Sequence, residues 1–339
     1  MQVIILAGGA GSRLWPASTD DVPKQFLKVR GESLLVRSVS RIRPLNPAGV
    51  WISTSSRYVL TTREQIPDLS IRILAEPARR NTAAAVGYSV MGLVRGGVGP
   101  GEIVAILPAD QEVADGEAFR AALRSAAEAA SASGLIVTLG IRPTSPETGY
   151  GYIELGEGAL CGGAARGSEF VEKPSREVAQ EYVAGGRHLW NAGIFVGTLS
   201  AFLAAFEARA PEILPAAKRS WDCIDAGDPD GSRREFEALP DVPFDIAIME
   251  RIGNFGVVPL ECGWSDIGSW ESLAEILGGE GENRIEGEAR IRDGAGNVVY
   301  GGSRPIVLIG VSDLVIVDGP GGVLVARKGR SSEIKALRN

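Results

Sequence analysis

Five short apolar runs, VIILA (3–7), VWIST (50–54), IRILA (71–75), IVAIL (103–107) and LIVTLGI (135–141), are separated by segments of helical character. Short β-rich runs of this kind read as strands. The intervening segments NTAAAVGYSVMGLV (81–94) and EAFRAALRSAAEAASA (117–132) can supply the covering layers. The first is apolar nearly all round, as a buried helix is; the second carries Arg120, Arg124 and Glu128 at helical spacing and keeps one face in water. The alternation predicts an α/β chain with a mostly parallel sheet and helices on both faces.

From about 150 the pattern changes to strands YGYIEL and EFVEKP, a helix near 175–184 and the run WNAGIFVGTLSAFLAAF. The stretch DAGDPDGSRREFEALPD (225–241) is polar and turn-rich and reads as an exposed excursion. A strand, FGVVPLE (255–261), leads into CGWSDIGSWESLAEIL. After Gly278 the segment GGEGENRIEGEAR reads as a linker, followed by the short β segments ARIRD, NVVYG, PIVLIG, DLVIVDG and GVLVAR. Their spacing by Gly, Asn and Asp predicts a small all-β unit or stacked β-coils. The expected division is a Rossmann-like domain over 1–279 and a small C-terminal β domain, in the manner of a left-handed β-helix, over 280–339.

Bulk properties narrow the function. The 339 residues suffice for about two domains. No apolar stretch approaches the roughly 20 residues of a membrane span, and Arg13 closes the N-terminal run early. No basic segment precedes that run, so it is expected to be a strand and not a signal peptide. A net charge of −7 with scattered basic residues argues against nucleic acid, and any phosphate must be held by local cations. Cys161, Cys223 and Cys262 are odd in number and lack metal spacing, which fits a reduced, cytoplasmic location. The one histidine, His188, is expected to be structural or superficial.

The first apolar run ends in a glycine cluster, Gly8, Gly9 and Gly11, with Arg13 next. Such a turn lets backbone amides approach phosphate oxygens. No GxxxxGK[ST] string exists, and a GxGxxG reading from Gly9 meets Leu14 in its third glycine position. What remains is GGxGxR with Lys24 following in PKQFL, two cations against one phosphate chain, or else a tight turn without a ligand. Asp110 in LPAD lies just past a strand end, where open α/β sheets bind ligands, though a turn or cap role is equally open to it. A carboxylate beside phosphates calls for a cation such as Mg²⁺ between them, and Asp266 in GWSDIG is a second candidate ligand.

AGGAGSRLWP, PKQFL, EPARRNTAAAV, LPAD, PETGYGYIE, FVEKP, WNAGIF and WSDIGSW, in this order, resemble the mannose-1-phosphate guanylyltransferases among the sugar nucleotidyltransferases. The resemblance runs from about 1 to 275, and the tail looks like that family's C-terminal β region. It implies a nucleotidyltransferase that moves GMP from GTP to α-D-mannose 1-phosphate, giving GDP-mannose and pyrophosphate, with Mg²⁺ as cofactor. Arg13, Lys24, Asp110 and Asp266 are implied as catalytic, the two aspartates as metal ligands. The nucleotide is expected at Ala7, Gly8, Gly9, Gly11, Ser12, Arg13, Lys24 and Asn81, with guanine read by backbone near Ala7 and by the Arg80–Thr82 loop. Asn81 could instead be only a helix N-cap. Sugar recognition is implied for Gly149, Glu169, Lys173 and Asn191; a Glu169–Lys173 surface pair and a buried turn at Asn191 are the bland alternatives. Trp264 and Trp270 are expected to pack around Asp266. The family often has His where this chain has Gln111, and some members a basic residue at Thr19. The length leaves no room for the isomerase domain of longer relatives, so one activity is expected, and exposed β edges in the tail are compatible with a homodimer. Another nucleotide or sugar, or a catalytically silent GDP-mannose-binding homologue, are the competing expectations.

Overall fold

The computed structural model describes residues 1–9, 11–277, 282–302, 304–330 and 333–334, without the side chain of Ser12. By internal packing the chain forms two units: Met1–Gly8, Ile42–Pro108 and Asp115–Cys262 make the first, and Gly9–Arg41, Ala109–Ala114 and Gly263–Asn339 the second.

The first unit is built on nine strands: β1 (Gln2–Leu6), β2 (Gly49–Ser55), β3 (Arg72–Glu76), β4 (Ile103–Pro108), β5 (Val137–Ile141), β6 (Gly151–Ala159), β7 (Ala165–Glu172), β8 (His188–Thr198) and β9 (Phe255–Leu260). Their order is β3-β2-β1-β4-β8-β5-β9-β7-β6. The predicted runs supply β1 to β5, and β3-β2-β1-β4 are parallel, with Ile4 opposite Trp51 and Ile106. Beyond them β8 runs antiparallel between β4 and β5, and β7 pairs antiparallel with β9 and β6, so the sheet is mixed.

The pleat divides the buried residues. Ile4, Val104 and Ile106 join one core with Tyr88, Phe202, Phe206, Phe236 and Phe244, from helices on one face. Their buried neighbours Val3, Ile5 and Ala105 alternate to the other face. There the helix Gly116–Ser133 packs on β4, β5, β8 and β9 with Phe119, Leu123 and Ala126 buried. Asp115 caps that helix by accepting from Glu117 N and Ala118 N, each at 2.9 Å, and Gly134 ends it at φ 70°.

The polar stretch 225–241 is exposed over much of its length, as expected, but it is not only turns. Pro229–Glu237 is a helix capped by Asp228, which accepts from Gly231 N at 2.8 Å. Its Gly231, Ser232 and Phe236 are buried, and Ser232 O accepts from Ser220 Oγ at 3.0 Å on the preceding helix. A nine-residue helix that buries one aromatic leaves little apolar periodicity to read.

In the second unit β10 (Arg284–Glu286), β12 (Val298–Tyr300) and β14 (Leu314–Gly319) stack in parallel, with β15 (Gly322–Arg327) antiparallel at the edge; β11 (Ala289–Arg292) stacks on β13 (Ile306–Ile309). Residues from successive turns pair directly, Val298 with Arg284 and Val315, which makes these segments β-coils. The expected linker is already coil structure from Arg284 onward; its residues 278–281, where the boundary near 280 was placed, lie outside the described residues. The core of this unit joins Leu14, Leu27, Leu34, Ile267 and Trp270 with Val298, Tyr300, Val315 and Val317. Tyr300 Oη accepts from Lys28 N at 3.0 Å and donates to Lys28 O at 3.1 Å. No helix among the described residues is long and apolar enough to cross a membrane.

Candidate active site

The four residues predicted to act on phosphate all belong to the second unit. Gly11, at φ 57°, opens a short 3₁₀ turn (Ser12–Leu14) that presents Arg13. A side chain is excluded at Gly11 twice over: a Cβ there would lie 2.1 Å from Lys24 Cβ, and the backbone is left-handed. The glycine therefore lets the Lys24 segment dock on the loop. Lys24 is buried, with 5% of its side chain exposed, and its Nζ donates to Asp110 Oδ2 at 2.9 Å and to the backbone carbonyl of Asp266. Arg13, about half exposed, reaches Asp266 Oδ2 at 3.4 Å. Asp266 Oδ1 also accepts from Gly268 N at 3.0 Å, and Ile267 between them takes φ 46° with its side chain in the core. Two carboxylates and two cations thus form one connected cluster.

That donor set suits a hard cation. Magnesium is commonly held by one or two carboxylates together with substrate phosphates and waters. The Asp110 carboxylate and the Asp266 main-chain carbonyl accept from the same ammonium, and among the described residues no group of three or more His, Cys, Asp or Glu forms an all-protein cage. Gln111 Oε1 accepts from Trp264 Nε1 at 2.9 Å, so this glutamine fixes the segment beside Asp110. Trp270 is fully buried and donates to Trp15 O at 3.2 Å, a packing role as expected.

In the first unit Ala7 is fastened to β2: its N donates to Ser53 O at 2.7 Å and its O accepts from Thr54 Oγ1 at 3.0 Å. A Cβ on Gly8 would stand 3.0 Å from both carboxylate oxygens of Glu76. Glu76 is buried and accepts from Ser53 Oγ at 2.9 Å; burial pushes its pKa up to about 7, against the lowering effect of that hydroxyl. Gly9 has open space where a Cβ would stand, and the side chain of Ser12 lies outside the described residues. Asn81 is the N-cap of Thr82–Arg95, its Oδ1 accepting from Thr82 N at 2.9 Å. Arg80 donates to Leu239 O at 3.1 Å and to Glu237 O, and so fastens the end of the Pro229–Glu237 helix.

A second cluster of the first unit gathers around Asn191. Asn191 Oδ1 accepts from Gly193 N at 3.0 Å and Thr138 Oγ1 at 3.3 Å, while Nδ2 donates to Asp245 Oδ1 at 2.7 Å. The second N–H of the amide has no partner among the described residues. The β8–β5 ladder shifts register between Asn191 and Phe195, which re-aims the side chain. A Cβ on Gly151 would meet Glu172 Oε2 at 2.7 Å and Asn191 Cβ at 3.3 Å, so these side chains share one face. Lys173, at φ 50°, donates to Glu172 Oε1 at 2.8 Å, and its N donates to Tyr150 O, next to the exposed Gly149. Burial, with the nearby Glu172 charge, raises the Asp245 pKa to about 6.

Glu169 does not join this cluster. It lies opposite Glu154 on β6 and is exposed, near Tyr182 and His188. His188 stacks on Tyr182 with ring centroids 3.8 Å apart, a structural role as expected. The sequence reading singled out none of Glu172, Asp245 and Glu76, whose carboxylates stand in these clusters. Glu172 was readable, since it is the glutamate of FVEKP; Asp245 carried no motif of its own among those read.

Comparison with known proteins completes the picture. The nucleotidyl transferase family matches residues 2–280, and the MannoseP isomerase/GMP-like beta-helix domain matches 291–337. The xanthan biosynthesis protein XanB of Xanthomonas campestris pv. campestris (strain B100) is 37% identical, over 98% of this chain and 72% of its own. The mannose-1-phosphate guanylyltransferase of Escherichia coli (strain K12) is 36% identical, with 98% and 72% covered. A crystal structure described as a mannose-1-phosphate geranyltransferase from Thermus thermophilus superimposes with a TM-score of 0.86 at 35% identity, covering 99% of this chain and 97% of that one. A nucleotidyl transferase match over most of the chain, a β-helix match over its tail and relatives above 30% identity place the chain in the mannose-1-phosphate guanylyltransferase family.

Proposed function

We propose that the chain transfers GMP from GTP to α-D-mannose 1-phosphate. A phosphate oxygen of the sugar ester forms a bond to the α-phosphorus while the bond to the β-phosphate oxygen breaks, so GDP-mannose and pyrophosphate leave. The observation that carries this reading is the cluster of Arg13, Lys24, Asp110 and Asp266 behind a glycine loop. No protein nucleophile is required, because the phosphate monoester is itself anionic, and positioning with charge neutralisation does the rest. Lys24 and Arg13 bind the triphosphate and take up charge on the departing pyrophosphate. Asp110 and Asp266 would hold magnesium, which when bound would supply the positive charge that lets two phosphates approach.

Glu76 favours guanine over adenine. Beside the Ala7–Gly8 backbone, a carboxylate accepts from adjacent N–H groups, and the guanine edge offers a ring N–H and an amino group side by side where adenine has a bare ring nitrogen. Asn191 and Glu172 suit sugar hydroxyls, and Lys173 the sugar phosphate.

The decisive experiment follows pyrophosphate release on mixing each of the four nucleoside triphosphates with mannose 1-phosphate and Mg²⁺. Release with GTP that falls by about 10²-fold or more in Asp110→Asn is expected. Near-normal turnover of that variant at low Mg²⁺ would overturn the metal role. No release from the wild type would leave a non-catalytic binder.

A further inference from the structure

We propose that Glu112, locked between Arg37 and Arg41, is a positioning residue that fixes how Asp110 and Asp266 stand relative to each other. The inference rests on the reading of those two aspartates as metal ligands. Glu112 is 4% exposed. Its Oε2 accepts from Arg37 Nε at 2.9 Å, its Oε1 from the Arg37 terminal nitrogen, and Arg41 stands 3.5 Å from Oε2. Both arginines come from the one helix Leu34–Ile42, and the Glu112 carboxylate holds the Arg37 pKa above its usual value.

The position of Glu112 in the chain gives this grip its consequence. Glu112 pairs with Ser265 and Val113 with Trp264 in a two-residue antiparallel ladder. Asp110 lies two residues before Glu112 and Asp266 directly follows Ser265, so the same ladder carries both aspartates. The helix grips the neighbouring residues as well: Ser38 Oγ donates to Ala109 O at 3.1 Å and Arg41 to Gln111 O at 3.2 Å. An apolar trio could fill the space of the buried ions with little loss of stability. It could not supply direction. A two-pronged guanidinium–carboxylate contact fixes the plane of the carboxylate, and with it the register of the ladder. Magnesium demands that direction, because it tolerates little departure from octahedral coordination at about 2.0–2.1 Å.

The test is Mn²⁺ binding followed by electron paramagnetic resonance, with and without GTP and with no sugar phosphate present. It compares the wild type with Asp110→Asn, Glu112→Gln and Arg37→Lys, each checked for folding by circular dichroism. Glu112→Gln and Arg37→Lys are expected to bind Mn²⁺ roughly 10-fold or more weakly, the usual loss when a group behind a metal ligand is removed. Arg37→Lys keeps every charge and gives up only the fork, so it stays informative if Glu112→Gln does not fold. Wild-type Mn²⁺ affinity in a folded Glu112→Gln or Arg37→Lys overturns the positioning role. If Asp110→Asn binds as the wild type does, the metal reading itself falls, and that outcome is distinct from the first.

Discussion

Gly11 and Glu76 show how much one position can decide. Only glycine tolerates both the left-handed backbone of Gly11, which costs other residues about 1–2 kcal/mol, and the contact with Lys24. Gly11→Ala should therefore displace Lys24: kcat is expected to fall on the order of 10²-fold, while the melting temperature drops modestly, and unchanged turnover would refute the docking role. Glu76 carries a stability cost of its own. Its pKa is raised to about 7 in the folded protein from 4.5, so folding makes ionisation costlier and stability declines as pH rises from the lower value through the higher. Urea titration should find Glu76→Gln more stable than wild type by on the order of 2–3 kcal/mol at about pH 8, with the gap closing near about pH 4. The same variant should raise the KM for GTP; a variant less stable at both pH values contradicts the burial argument.

At the scale of elements, the strands were legible and their facing was not. The runs that became β1 to β5 are rich in β-forming residues, and that composition marks them as strands; it does not tell the interior β1 and β4 from β3, which ends the sheet and carries Arg72. Which side chains of β7 share a face with Asn191 depends on its pairing with β6, which sets Glu169 opposite Glu154 and Glu172 opposite Gly151. No single strand records that pairing, so the resemblance implied Glu169 where the pairing brings Glu172 to the face of Asn191. The contrast is measurable: Glu172→Gln should raise the KM for mannose 1-phosphate about 10-fold or more, as a lost charged hydrogen bond predicts, and Glu169→Gln should leave it unchanged. Equal effects would mean that the pleat does not sort these residues. The same blindness hid the Glu112 pairing, since nothing local says that Arg37 will meet a residue 75 positions away or that Arg41 will meet it too.

Taken whole, the molecule draws its chemistry from strings that are short and far apart, and this is why a resemblance of eight motifs could anticipate the family while composition could not. The two aspartates proposed to hold the metal, the lysine and the arginine come from residues 13, 24, 110 and 266, yet all four fall in one packing unit. That unit is assembled from three stretches of chain, and its core joins Leu14 and Trp270 to Val298 and Val315. A gene cut after the codon for Leu277 would therefore not encode a trimmed enzyme. It would strip Trp270 of Tyr300, whose ring centroid stands 5.4 Å away, and free the Lys28 backbone from its only described phenol partner. Fusion and shuffling can add to this polypeptide at its ends, but neither unit can be inherited as a contiguous cassette.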